Sequence, residues 1–136
     1  MSSVRIARCL EETMLINSNL IIYATQPHRR QLRRWMVEHA THYSVISRLE
    51  TLGYRHLSDA EARSIEAILA QLERVPIDDS IVERAIGLRQ LRKMSLGDAL
   101  IAASCLVRQL SLATANEKDF AWIEALAIEN PLERES

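Results

Sequence analysis

Apolar positions along the chain fall into short blocks whose spacing changes. Met14-Leu15-Ile16 is a continuous apolar run ending at Asn17-Ser18-Asn19. This is the form of a buried parallel strand closed by polar turn residues. Leu20 to Ala24 follows as a short helix or turn, closed by Pro27. From His28 to Ala40, Leu32, Trp35, Met36 and Ala40 recur at helical spacing, with Arg29, Arg30, Arg33 and Arg34 on the other face. His42 to Ile46 reads as a second strand. Ser47 then opens a helix to Gly53, paired with Glu50 as a capping box. Ser58 and Glu61 form a better box, with Leu57 placed as a staple, ahead of a helix with Ala62, Ile65, Leu69 and Leu72 on one side. Val75-Pro76-Ile77 is a connector or edge strand. Asp78 or Asp79 caps a helix with Ile81, Ala85, Leu88 and Leu91 inward. Ser95-Leu96-Gly97-Asp98 opens a helix, Ala99 to Arg108, that is apolar nearly all round and therefore buried. Leu110 to Thr114 is a third strand. Leu126-Ala127-Ile128 is a fourth, ended by Asn130-Pro131.

Short strands alternating with helices predict a three-layer α/β/α domain with a mostly parallel central sheet. The length of 136 residues fits one such domain. Residues 1–13 have no clean period and are read as an N-terminal extension or leader, with the domain spanning 14–133. Cys9 and Cys105 are too few and too far apart for a disulfide framework or a zinc cluster. With no signal peptide, the expected setting is cytoplasmic. No apolar run approaches the roughly 20 residues needed to span a bilayer, so no membrane partner is expected.

Charge changes the picture more than composition does. The chain carries 17 Lys+Arg against 18 Asp+Glu, a net charge of −1, which argues against gripping nucleic acid by bulk positive charge. Residues 1–56 hold eight arginines and four glutamates, a balance of +4, and the remainder is at −5. Only Lys93 and Lys118 are lysines.

In a parallel α/β sheet, ligands bind beyond the carboxyl ends of the strands. The polar residues expected there are Asn17, Ser18 and Asn19, then Glu50, Asp98, Asn116 and Asp119. Three carboxylates and an asparagine on one edge form an oxygen-only environment suited to Mg²⁺ or Mn²⁺. A cation there would relieve carboxylate repulsion, activate water and stabilise charge on a phosphodiester.

Four segments resemble the PIN-domain ribonucleases, in particular the VapC-type toxins of toxin–antitoxin pairs. MLINSNLIIYA resembles that family's first strand, and YSVISRLETLGY its second strand and helix, where the acid matches Glu50. LRKMSLGDALIAASCLVRQLSLATANEKDF resembles its longest signature, matching Asp98, Thr114, Asn116, Asp119 and Phe120. LAIENPLE resembles the closing strand. The resemblance covers about residues 14–133, and the third segment is the specific one. It implies a PIN-like fold, metal-dependent endoribonuclease activity, an RNA substrate, a cognate antitoxin partner and a homodimer. The implied catalytic and metal residues are Asn17, Glu50, Asp98 and Asp119, with Ser18, Asn19, Thr114 and Asn116 positioning them. One departure matters: the family's first metal-binding aspartate is replaced by Asn17, which carries no charge. Either the substitution was introduced to disarm the enzyme, the favoured explanation, or the natural protein is a catalytically dead relative that binds RNA or a protein partner.

Simpler roles compete at each position. Asp98 can serve as a cap three residues after Ser95, Glu50 as the partner of Ser47, Asp119 as a solvated turn acid and Asn17 as a turn residue. Arg29, Arg30, Arg33 and Arg34 can line an RNA path, meet an antitoxin, or form a solvated face. His39 and His42 lack the further ligands a zinc site needs. Cys105, Trp35 and Met36 suit packing. A phosphatase of similar layering would show a paired Asp-x-Asp and a glycine-rich loop, and neither is present.

Overall fold

A computed structural model describes residues 13–134. The reading of 1–13 as a leader, and Cys9 with it, falls almost wholly outside the described residues. The elements in chain order are β1 (Met14–Ile16), α1 (Ser18–Ala24), α2 (Arg30–His39), β2 (His42–Ser44), α3 (Val45–Leu52), α4 (Asp59–Ala70), β3 (Glu73–Val75), α5 (Asp79–Leu91), α6 (Leu96–Arg108), β4 (Ser111–Ala113) and β5 (Ile128–Glu129). Two short 3₁₀ turns cover Glu117–Asp119 and Pro131–Arg134.

The five strands pair in the order β3-β2-β1-β4-β5, every pair parallel. The register at the centre aligns Met14 with Ser111, Leu15 with Leu112 and Ile16 with Ala113. Even three-residue strands obey the two-residue pleat. Leu15 and Leu112 pack into one core with Ile81, Ala85, Leu88 and the buried side of α6. Met14, Ile16 and Ala113 pack into the other, with Leu20, Leu32, Met36, Ile65 and Leu69. Helices on both faces explain why β1 is apolar throughout rather than alternating. The chain runs outward from β1 to β3, then returns to build β4 and β5 on the other side. The order therefore reverses between β1 and β4, the switch point where such sheets bind ligands.

The periodic helices appear where the sequence predicts them, and the differences are local. β2 stops at Ser44, whose hydroxyl accepts from Ile46 N at 3.2 Å and caps α3. Val45 and Ile46 are therefore helical, Ser47 lies buried inside the helix, and the expected Ser47–Glu50 box does not form. The edge strand is Glu73–Val75 and ends before Pro76, which has no N–H for a ladder. Leu91, expected inward, is 77% exposed at the end of α5. The apolar α6 buries Ala99 and Ile101 to Cys105, with Ser104 Oγ satisfied by Leu100 O at 2.7 Å. No helix among the described residues is long and apolar enough to cross a membrane.

The box expected at Ser58 is complete. Its hydroxyl accepts from Glu61 N at 3.0 Å, and Glu61 Oε1 accepts from Ser58 N at 3.0 Å. Ser58→Ala is expected to cost about 1 kcal/mol, a fall of about 3–5 °C in Tm by thermal unfolding.

Candidate functional site

Beyond the carboxyl ends of β1 and β4 the backbone presents Asn17 and Thr114, both buried. Asn17 N donates to Ala113 O at 2.9 Å, an extension of the β1–β4 pairing. Asn17 is also the N-cap of α1. Its Oδ1 accepts from Ser18 N at 2.8 Å, and its Nδ2 donates to Thr114 Oγ1 at 2.9 Å. The same hydroxyl accepts from Asn116 N at 3.1 Å and Asn19 Nδ2 at 3.5 Å. One threonine thus joins Asn17, Asn19 and Asn116, three of the residues the sequence singles out.

Ser18, the first residue of α1, carries the connection onward. Its hydroxyl lies 2.6 Å from Glu50 Oε1, to which it donates, and 2.8 Å from Ser47 Oγ. Glu50 is thereby fixed from the neighbouring helix. Ser47, a cap by its spacing in the sequence, is instead a positioning residue. Arg48, two residues before Glu50, forms a two-pronged pair with Glu66 of α4 at 2.7 and 2.9 Å, bracing α3 from its outer side.

Gly97 brings the third acid close. A Cβ there would collide with Glu50 Oε2 and lie 3.2 Å from Glu50 Cδ. The helix start carrying Asp98 therefore packs directly on the Glu50 carboxylate, and a side chain at 97 would displace that carboxylate from its place. The sequence signal for this role is a glycine directly before a helix-opening acid, which a search for polar side chains misses. Ser95 Oγ accepts from Asp98 N at 3.1 Å, so Asp98 does complete the expected cap and also faces the acids. Its carboxyl is pushed above the usual range, first by burial and then by the negative charges of Asp119 and Glu50, against a lowering hydrogen bond with Ser95. Asp119 is exposed at the end of its 3₁₀ turn, and its carbonyl accepts from Trp122 Nε1 at 3.2 Å.

The structure therefore brings Asn17, Ser18, Asn19, Glu50, Asp98, Thr114, Asn116 and Asp119 to one end of the sheet. It does not bring the arginine helix into this network. Arg33 is committed to the carbonyls of Ala24, Gln26 and Pro27 at 2.9, 2.7 and 3.2 Å. Arg29 lies over the Tyr23 ring, 5.4 Å from its centroid. Arg30 and Arg34 are exposed.

Among the described residues, no three His, Cys, Asp or Glu side chains converge closely enough to hold a metal by themselves. A hard cation such as Mg²⁺ needs less, since it keeps several waters and uses one or two carboxylates. The donors present are all oxygens, their charges oppose one another at Asp98, and the buried Asn19 Oδ1 has no hydrogen-bond partner. That donor chemistry fits such an ion. Position 17 also accommodates either residue without a change of shape. Thr114 accepts from an amide, and by turning its hydroxyl it would donate to a carboxylate.

A family model for the PIN domain matches residues 14–126. A toxin–antitoxin complex from Klebsiella pneumoniae contains a chain 27% identical, with TM-score 0.72, covering 88% of this chain and 98% of that one. VapBC2 from Rickettsia felis bound to a promoter DNA fragment aligns with TM-score 0.74 at 21% identity, covering 87% and 98% of the two chains. DNA-bound VapBC from Salmonella typhimurium aligns with TM-score 0.73 at 19% identity, covering 88% and 98%. No curated protein matches the sequence.

A carboxyl whose folded pKa is raised contributes stability at low pH that is lost as pH rises through that pKa. Asp98→Asn, uncharged throughout, is expected to raise Tm at pH 7. The gain should vanish below the ordinary aspartate value of 3.8, as read by thermal unfolding across pH.

Proposed function

The chain belongs to the PIN-domain family, and on that premise we propose that it is a VapC-type ribonuclease toxin of a toxin–antitoxin pair. The observation that carries this reading is that Glu50, Asp98 and Asp119 lie within electrostatic reach of one another beyond the strand ends at the switch point of a parallel sheet, with Ser18 linking Glu50 to the strand end at Asn17. The reaction is endonucleolytic hydrolysis of an RNA phosphodiester. Glu50, Asp98, Asp119 and the residue at 17 would hold Mg²⁺ or Mn²⁺, which supplies an activated water and offsets charge on the phosphate.

The chain's own residues prepare that site. The Ser18 hydroxyl donates to Glu50 Oε1 and fixes its direction. Thr114 sets the side chain at 17 and the backbone at 116. Ser95 sets the first turn of α6, so Asp98 is presented from a rigid element.

The weak point is position 17. An amide there lowers the negative charge available to a cation by one, and both ends of the Asn17 amide are occupied within the protein. This chain is therefore weakened or inactive as a nuclease. The same committed amide supports a second reading, a PIN-like module that binds RNA or a protein partner without catalysis. The partners of the first reading are a cognate antitoxin and a second copy of the chain. The Klebsiella complex, of a toxin with its antitoxin, supports the former.

Asn17→Asp decides between the readings. The variant is expected to cleave RNA with Mg²⁺ or Mn²⁺, to lose cleavage in EDTA, and to lose it again with Asp98→Ala added. A variant that neither cleaves RNA nor binds the metal by calorimetry overturns the nuclease reading. In the Asn17→Asp background, Ser18→Ala removes the support of Glu50 and is expected to lower metal affinity or cleavage roughly 10- to 100-fold.

A further inference from the structure

A cavity of about 550 Å³ opens beside two of the acids. Asp98 and Asp119 form part of its wall, and Arg89, Arg92, Lys93 and Lys118 form much of the rest. The chain's only two lysines therefore both stand here, in a protein whose positive charge is otherwise arginine. All four cations are exposed. Among the described residues, none of them makes an ion pair with a carboxylate, although two carboxylates share the cavity. Arg89 is held by its Nε, which donates to Met94 O at 3.1 Å. The Arg92 guanidinium lies over the Trp122 ring, 5.6 Å from its centroid, and Trp122 is itself anchored to Asp119 O. Arg92 is thus oriented by a ring fixed to the backbone of a site acid, which reduces the entropy lost when it binds an anion.

We propose that this cavity is the path by which a single-stranded RNA backbone reaches the acids, with Arg92, Lys93 and Lys118 on its phosphates. The proposal rests on the ribonuclease reading and names the substrate form and the residues that seat it. Phosphate is the ligand that suits unpaired arginines and lysines in a water-filled cleft. A cleft lined by four cations takes a flexible single strand, whose backbone can bend into it. A duplex carries its phosphates on a broad, stiff cylinder that needs a wide face. The acids at the cleft's edge then meet a phosphate held by its neighbours in the strand rather than by themselves. The arginine helix α2, the sequence's first candidate for this contact, is less suited because Arg33 is committed to three carbonyls and the helix stands outside the network of the acids.

The test measures binding on the full chain with Asn17 in place, and a gel of the RNA after each titration checks that it is intact. The probe is an unstructured, fluorescently labelled single-stranded RNA of about 12 nucleotides, titrated by anisotropy at several salt concentrations with Mg²⁺ present. Arg92→Ala/Lys93→Ala/Lys118→Ala is expected to weaken binding roughly tenfold or more at ~0.1 M salt. It should also flatten the slope of log K against log salt by about 2, near 0.7 for each phosphate that is no longer neutralised. Arg30→Ala/Arg34→Ala should leave both unchanged, and thermal unfolding of each variant checks the fold. Unchanged affinity and slope in the triple variant overturn the proposal. So does weakening confined to the Arg30/Arg34 variant, tighter binding of a duplex of equal length, or a triple variant that keeps RNA and releases only an acidic protein partner. The two readings fail separately. If Asn17→Asp does not cleave while the triple variant no longer binds RNA, catalysis is wrong and the path stands. If Asn17→Asp cleaves and adding the triple substitution leaves KM unchanged, the path is wrong and the nuclease stands.

Discussion

The parallel pairing of β1 with β4 is the constraint from which the site follows. It joins segments 97 residues apart and puts Ile16 level with Ala113. Only then do the next residues on the two strands, Asn17 and Thr114, lie side by side beyond the last ladder bond. The pairing also defines the switch point, because the chain leaves β1 toward β2 on one side and returns to β4 on the other. Helices on both faces bury β1 and the Leu112–Ala113 half of β4, so the register cannot slip without moving Leu15 and Leu112 out of one core and Ile16 and Ala113 out of the other. The apolar packing therefore holds the polar end in place.

That polar end is electrostatically costly. Burial and the nearby charges of Asp119 and Glu50 disfavour ionisation at Asp98. The fold brings the acids together regardless, through Ser18 on one side and the bare Cα of Gly97 on the other. Asn17, whose amide is bonded to Thr114 and Ser18, adds no further charge to that end. The cavity that Asp98 and Asp119 line also holds four cations that, among the described residues, form no ion pair with a carboxylate, so both signs of charge meet there.

Two capping patterns show where local reasoning holds and where it gives way. Ser58-x-x-Glu61 and Ser47-x-x-Glu50 have the same spacing, and only the first forms a box. Around Ser58 the helix start is exposed and nothing competes for the glutamate. Around Ser47 the helix begins earlier, at the cap Ser44, and a more distant hydroxyl, Ser18, reaches Glu50. The arginine helix is a similar case. Its amphipathic spacing is legible in the sequence, whereas Arg33 turning back to three carbonyls depends on how the α1–α2 turn folds. Lys93 and Lys118 lie 25 residues apart and share no periodic pattern, so nothing along the chain places them in one cavity.

Apolar spacing, the residues at strand ends and the resemblance carried by the Asp98-to-Phe120 segment were enough to determine an α/β domain and its parallel sheet, and to name the candidate acids. These are properties of short stretches, set by backbone periodicity and by which side chains stop a strand or start a helix. The tertiary structure decided the rest: strand order, the Thr114 node, the use of Ser18 and Ser47, the close packing of Gly97 on Glu50 and the cations that share a cavity with Asp119. Each of these depends on contacts between segments distant in sequence. Such contacts are fixed by how two apolar faces pack onto one sheet, and no local pattern encodes that.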